Sequence, residues 1–391
     1  MKIITVVGML LCSSVYSQSF NAGTGEPNSP FEIRTAEQLM QIGSDSSLMT
    51  KSYVLESDID LDPNLPGGGV FCGAVISGSL NEGHSTQSDS YVAIVQDVAV
   101  AVFSGTFSGN GHSIRNMIID APDGKCIGLF AYIGDDAIVD GLQIEGACVL
   151  GRRHVGLLGG INHGTVSQCN VSGSVSGNSR IGGLIGSNAG YVDCSRSKAR
   201  VAGEDMVGGL IGHALARSSI TSCCSSCDVT GLSDIGGLVG EMLPGMVICC
   251  CTSGKVSSRT NAGGLIGDGP CGGTVSMCNS SALVRGTIIG GLVGIAQQAD
   301  IKNSYATGVL TKIKPGDLHH DLVVGAGGLV GYWKASQGNV ISCCWDMEVS
   351  GVDVAVGCSA PDANLNLILT KGVATEQMKT ATSLVSRSMD F

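Results

Sequence analysis

The chain has 391 residues, with 59 Gly, 9 Pro, 43% hydrophobic and 4% aromatic residues, and its glycines follow no Gly-X-Y period; neither a collagen-like nor a disordered chain fits. A formal net charge of −11, from 33 acidic and 22 basic residues, argues against a nucleic-acid or anionic-membrane partner, for which a basic stripe is the expected footprint. Solubility of a secreted protein is the simplest account of that charge.

Residues 1–17 read as a secretory signal peptide. Lys2 supplies the positive start, Ile3 to Cys12 the apolar run, and Val15 and Ser17 the small residues of a cleavage site. The run is shorter than the roughly 20 residues a membrane span needs, nothing later is apolar for long enough, and the C-terminal VSRSMDF lacks the hydrophobic tail of a lipid-anchor signal. No transmembrane segment is expected, so the mature protein is expected outside the cell. Seventeen cysteines suit that oxidising compartment, although small buried hydrophobes without any bond are the competing reading.

Residues 18–104 read as an N-terminal cap and an irregular first coil. Residues 31–42 predict a strand and then a short helix, with Thr35 as N-cap and Gln38 at capping-box spacing. Asp58, Asp60 and Asp62 alternate on one strand face; a solvated face is a simpler reading than a Ca²⁺ site or a pair of catalytic acids. Residues 63–104, with PGGG at 66–69 and a strand-like run from Tyr91 to Phe103, predict a long insertion in that coil.

Residues 105–351 are organised by a glycine-framed tetrapeptide. Eight copies begin at Gly128, Gly156, Gly183, Gly209, Gly237, Gly264, Gly291 and Gly328, at spacings of 28, 27, 26, 28, 27, 27 and 37 residues. The long interval holds an extra polar segment, Thr311 to Asp321, which reads as a loop inserted in one repeat. One unit, Ile235 to Thr260, divides into a short apolar strand around Leu238, a turn with Pro244 and Gly245, and an alternating stretch from Met246 to Val256. No unit holds a helical period, and about 27 residues are too few for the roughly 40–45 of a propeller blade. Leucine-rich repeats match in length only. The prediction is an all-β fold: a parallel β-helix-like solenoid of about eight coils, each of about three short strands stacked at about 4.8 Å, with short helical end caps.

Glycine pairs such as Gly236-Gly237 are expected to mark corners that need positive φ or close contact with the next coil. Valine at such a corner should destabilise strongly and the same change in the 311–321 insert should be silent; equal melting temperatures would contradict stacked corners.

Aligned on their second strand, the repeats place Cys169, Cys223, Cys250, Cys278 and Cys343 in one column, with Ser195 and Ser304 in the gaps, and Cys224, Cys251 and Cys344 in the next. Column neighbours lie about 4.8 Å apart at Cα, inside the disulfide window. Cys223–Cys250, Cys250–Cys278 and Cys224–Cys251 are therefore possible inter-coil staples that cannot all form, and stacked thiols are the competing reading. A metal site from Cys224, Cys227, Cys249, Cys250 and Cys251 is the weakest reading, because stacking alone clusters them. Asn170 and Asn279 head Asn-X-Ser sequons and are possible glycosylation sites in a eukaryotic secretory route.

Catalytic signatures are sparse. None of the seven histidines lies in His-Glu-x-x-His, which excludes that class of zinc peptidase. Gly267 to Gly272 spells G-x-G-x-x-G, but Pro270 and Gly273 stand where a helix should open. His319, His320 and Asp321 could bind a metal, although a plain loop accounts for them. No recurring Asp, Lys or Arg column marks a carbohydrate-cleaving groove. No catalytic, cofactor-binding or metal residue is assigned, and no cofactor is implied.

Residues 352–391 read as a C-terminal capping module with a short amphipathic helix after Thr375. The GGLIG/GGLVG frame followed by a strand such as Ile301 to Gly308 resembles the GLUG-motif repeats of filamentous-haemagglutinin-like adhesins and of the non-catalytic part of IgA-cleaving metallopeptidases. Tyr53 to Leu61 resembles the family's lead-in strand and Phe107 to Ile114 the segment opening its first coil. Cys344 to Gly351 and Thr375 to Lys379, ending at Met389-Asp-Phe, are similar to its closing module, so the resemblance covers residues 31–391. It implies a secreted or cell-surface non-enzymatic repeat protein that adheres to a surface protein or glycan, and it supplies no catalytic residue. The cysteine columns depart from the family's usual Asn-Ser-Tyr positions. A carbohydrate-binding or carbohydrate-cleaving β-helix is the alternative.

Overall fold

Strands two to eight residues long dominate the chain, and nearly all of them pair in parallel with the equivalent strand one repeat away. The computed structural model describes residues 20, 22–77, 92–95, 98–313, 325–334, 337–361 and 363–379. The signal peptide, most of the 311–321 insert and the closing Met389-Asp-Phe lie outside the described residues.

Each coil passes through four strands, as in Thr165–Ser167, Asn170–Ser176, Ser179–Gly182 and Ile185–Asn188. Stacked coils turn these into four walls, numbered here in chain order, with 12, 15, 8 and 9 strands respectively. The fourth wall contains one strand for each of the eight tetrapeptide copies and a ninth, Val356–Ser359, from the closing module. Four strands per coil replace the three read from sequence for a local reason. The apolar run around Leu238 is broken by a two-residue corner, Gly237-Leu238, into Ser233–Gly236 and Val239–Met242. The alternating stretch is likewise broken at Cys249-Cys250, where Cys249 has φ 55°.

The tetrapeptide is explained position by position in the unit Gly182 to Gly186. A Cβ on Gly182 would overlap the carbonyl oxygen of Ile185, one on Gly183 the carbonyl oxygen of Gly209 in the next coil, and one on Gly186 the backbone of His154 in the preceding coil. Leu184 and Ile185 between them have no exposed surface. The expected alternative for these corners, positive φ, is not what the glycines supply: Gly236 and Gly237 have negative φ, and left-handed φ falls on side-chain-bearing residues such as Ser222, Cys249 and Met277 at the first-to-second-wall corner. Close approach of backbones is the reason for glycine here.

Apolar side chains of the first wall form an inward column, Val139, Val166, Val192, Ile220, Val247, Val275, Ile301 and Val340, in direct register. Burying each such side chain contributes about 2 kcal/mol. The ends use aromatics. Phe31, Tyr53, Phe103, Phe107 and Phe130 pack in a chain of rings at the N-terminal end, and Trp333 and Trp345 fill the other. Thr35 and Gln38 form the reciprocal capping box of helix Ala36–Gln41. At the far end, Asp346 caps helix Met347–Ser350 and accepts a hydrogen bond from the Thr375 hydroxyl at 3.0 Å. These pieces cover strand edges that would otherwise template pairing.

Candidate functional site

Two surfaces of the solenoid carry chemistry. The first is a slot where the third wall folds back on the fourth. In its first five strands the third wall holds one left-handed residue at the same place, Cys126, His154, Arg180, Met206 and Asp234. Facing them is a fourth-wall row in register, Tyr132, Ile161, Ser187, His213, Glu241, Asp268, Ile295 and Tyr332. The row is apolar or aromatic at both ends and ionisable in the middle.

His154 is buried; its Nδ1 lies 2.8 Å from Ser187 Oγ and its Nε2 lies 3.2 Å from Arg180 Nη1. A guanidinium only donates, so Nε2 accepts and the ring proton sits on Nδ1, donated to the serine. Burial, and then the charge of Arg180, pushes the His154 pKa down to about 3. His213, also pushed down by burial to about 4, approaches Glu241 Oε2 through Nε2 at 3.4 Å. Asp234 Oδ1 accepts from Asn261 Nδ2 at 2.7 Å. Burial pushes Asp234 up to about 7 and Asp268 up to about 6, and it raises Glu241.

The two signs oppose each other. Carboxyls with raised folded pKa values contribute stability at low pH that is lost as pH rises from about 4 through about 7. The histidines lose stability in the other direction, as pH falls from 6.5 through about 4 and about 3. Asp234→Asn, which keeps an acceptor for Asn261, is therefore expected to gain more at pH 8 than at pH 5, the difference being about 2 kcal/mol. Thermal melts at both values check this, and an equal shift at both would contradict it.

Glycines let the two walls approach closely beside this slot. A Cβ on Gly240 would overlap the Met206 backbone and one on Gly267 the Asp234 backbone. His154 and His213 are buried there, whereas Arg180, Asp234, Glu241 and Asp268 are half-buried.

The second surface is the outer face of the second wall. Its strands are the longest, Gln143–Leu150, Asn170–Ser176, Arg196–Ala202, Cys224–Gly231 and Cys251–Ser258, and several bend midway. Gly146, Gly173 and Gly254 have φ of 64°, 142° and 96°, and the pairing register shifts between Ile144 and Ala147. The bend makes the outer face concave. Two adjoining hollows of about 300 and 460 Å³ lie over it, and Lys198 and Ser226 line both.

Cys224 and Cys251 sit on the same face, joined by a disulfide with Cα atoms 4.7 Å apart. The inner column differs: Cys223, Cys250 and Cys278 are buried thiols. Each faces a carbonyl two residues back, Thr221, Ile248 and Ser276, at 3.0, 3.3 and 3.2 Å, and Cys278 Sγ also accepts from Cys250 N at 3.4 Å. Among the described residues, no three His, Cys, Asp or Glu side chains are disposed to hold a metal ion. Asp58, Asp60 and Asp62 are occupied by protein donors: Arg115 Nη2 at 2.8 Å, Asn116 Nδ2 at 3.0 Å and Asn64 Nδ2 at 2.7 Å. Gly267 to Cys271 lies in strand Ile266–Cys271 and opens no helix. Asn170 is exposed and Asn279 half-buried, both at outward positions of the second wall. His319, His320 and Asp321 lie outside the described residues.

The slot was legible one residue after the tetrapeptide, where four successive copies end in Ser187, His213, Glu241 and Asp268. It escaped because the residue type changes at each coil, so no single amino acid recurs. A buried pair, Asn162 Nδ2 donating to Asn188 Oδ1 at 2.7 Å, escaped for want of any charge or period.

The walls, register and corners define a parallel β-solenoid repeat protein. Residues 286–311 match the GLUG motif family, and the chain is a repeat protein carrying that motif. It is 31% identical over 156 residues to Halomucin of Haloquadratum walsbyi, a stretch that covers 40% of this chain and 2% of that protein. It is 29% identical over 164 residues to a provisionally named Gly-rich membrane protein of Evansella cellulosilytica, covering 40% of this chain and 16% of the other. The chain thus spans a small part of the length of these relatives. A crystal structure from Bacteroides ovatus, titled as a candidate immunoglobulin A1 protease, aligns at a TM-score of 0.44 and 17% identity over 80% of this chain and 86% of that one. Motif and solenoid together fit a surface or secreted repeat protein. No helix among the described residues is long and apolar enough to cross a membrane.

Proposed function

We propose that the chain is a secreted or cell-surface protein without enzymatic activity, acting by adhesion to a surface protein or glycan. The observation that carries this reading is the division of labour within each coil. The glycine frame serves backbone contact between walls and the slot histidines are buried, which makes the outward rows of the walls the broadest surface able to meet a partner. The names of the two relatives, a mucin-like name and a membrane protein, support an exterior location.

The alternative of a carbohydrate-cleaving β-helix has one observation in its favour: Glu241 and Asp268 are register neighbours with raised pKa values, a pairing that glycosidases use. Against it stands the row itself, in which the acidic pair is flanked by His213 and Ile295 and no further carboxyl recurs. A glycan array run beside a reducing-sugar release assay tests the proposal. Binding without release is expected; release of reducing ends, abolished by Glu241→Gln, would replace this reading with the enzymatic one.

A further inference from the structure

Strand Arg196–Ala202 alternates strictly between buried and exposed residues, and its three exposed cations are Arg196, Lys198 and Arg200. None of the three side chains makes a hydrogen bond or ion pair, unlike Arg115, which is held between Asp58 and Glu145 at 2.8 and 3.1 Å. Alternate residues of a strand stand about 7 Å apart on one face. Three cations without ion-pair partners therefore cross the concave second wall in a line, on a chain whose net charge is −11.

We propose that this trough binds an acidic polysaccharide, a chain of sugars bearing carboxylate or sulfate groups. The proposal rests on the adhesive reading above and names the face and the ligand class. Arg196 and Lys198 line one hollow and Lys198 and Arg200 the other, so a linear polyanion lying across the bend engages all three. The remaining lining suits sugar hydroxyls: Asn170, Ser172, Ser174 and Ser226 surround the cations. The acidic groups that face them are two. Glu145 is neutralised by Arg115, and Asp228 stands one coil from Arg200 without pairing to it.

A protein partner fits less well. The trough offers no exposed aromatic or large aliphatic anchor, which protein interfaces need at their centre. Its strands are paired on both sides along the wall, so no edge is free for strand addition. Engagement through several equally spaced charges gives binding that weakens steeply with salt.

The test uses the purified full chain from an unglycosylating host and measures binding to heparin, polygalacturonate, neutral dextran, poly-glutamate and a single-stranded oligonucleotide at low and physiological salt. Binding to heparin or polygalacturonate, absent for dextran, is expected, and the two acidic arms separate sulfate from carboxylate recognition. The triple variant Arg196→Gln, Lys198→Gln, Arg200→Gln is expected to bind at least tenfold more weakly with an unchanged melting temperature, because all three side chains are exposed. The matched variant Lys51→Gln, Lys302→Gln, Lys371→Gln controls for net charge and is expected to bind like the wild type. The proposal is overturned by equal binding of wild type and triple variant, by equal loss in the matched variant, by no binding to either acidic polysaccharide, or by tighter binding to poly-glutamate or the oligonucleotide. If labelled wild type adheres to cells and the triple variant adheres equally, only this proposal fails; if wild type adheres to no surface or glycan, the adhesive reading fails with it.

Discussion

Gly240→Val is expected to destabilise the central coils by about 4 kcal/mol or more, whereas Gly69→Val leaves the melting temperature almost unchanged. A Cβ on Gly240 would overlap the Gly212 carbonyl oxygen and the backbone between Met206 and Val207, all of it main chain that cannot rotate away. Overpacking against side chains costs about 1–3 kcal/mol; here both walls must shift, and every later coil inherits the displacement. Gly69 has no neighbour within 4 Å of its Cβ position and negative φ, so valine meets solvent there. Thermal melts of the two variants decide the matter. Equal melting temperatures would mean that the walls are not pressed together as described.

Removing the Cys224–Cys251 disulfide is the second large effect. It closes a loop of 27 residues between adjacent coils, and releasing a loop of that size from the unfolded chain costs about 3 kcal/mol. Cys224→Ser with Cys251→Ser is expected to lower the melting temperature accordingly, and adding reductant to the wild type should reproduce the loss. Cys250→Ser provides the contrast. Ser195 already occupies the same column, its hydroxyl donating to Asp193 O at 2.8 Å as the Cys250 thiol donates to Ile248 O at 3.3 Å. Its substitution should therefore cost less than about 1 kcal/mol. A larger loss for Cys250→Ser than for the outer pair would show that the inner column, and not the outer one, staples the coils.

Much of this architecture was legible because a solenoid writes its geometry into an interval. The spacing of the tetrapeptide placed Leu184, Leu210, Leu238, Leu265 and Leu292 in one column, and the cysteine columns followed from the same alignment. The number of strands per coil was less legible, since corners at Gly237-Leu238 and Cys249-Cys250 interrupt runs that look continuous by hydrophobicity. Left-handed residues such as His154 and Asp234 carry no sequence mark of their conformation, because the wall pairing imposes it. The cation row was invisible for a different reason. Arg196, Lys198 and Arg200 read as an ordinary solvated strand until Gly146, Gly173 and Gly254 are seen to bend the wall beneath and beside them.

The central claim is that one parallel ladder runs through the tetrapeptides. Leu184 N–H donates to Leu210 O at 2.9 Å, Leu210 to Leu238 at 2.9 Å, Leu238 to Leu265 at 2.9 Å, Leu265 to Leu292 at 2.8 Å and Leu292 to Leu329 at 2.9 Å. Amides that open only with the whole structure exchange slowest. Hydrogen exchange followed by mass spectrometry should find peptides spanning these leucines to be the slowest in the chain, protected together in every central coil. Exchange at these leucines as fast as in the turn at Pro244-Gly245 would contradict the stacked solenoid.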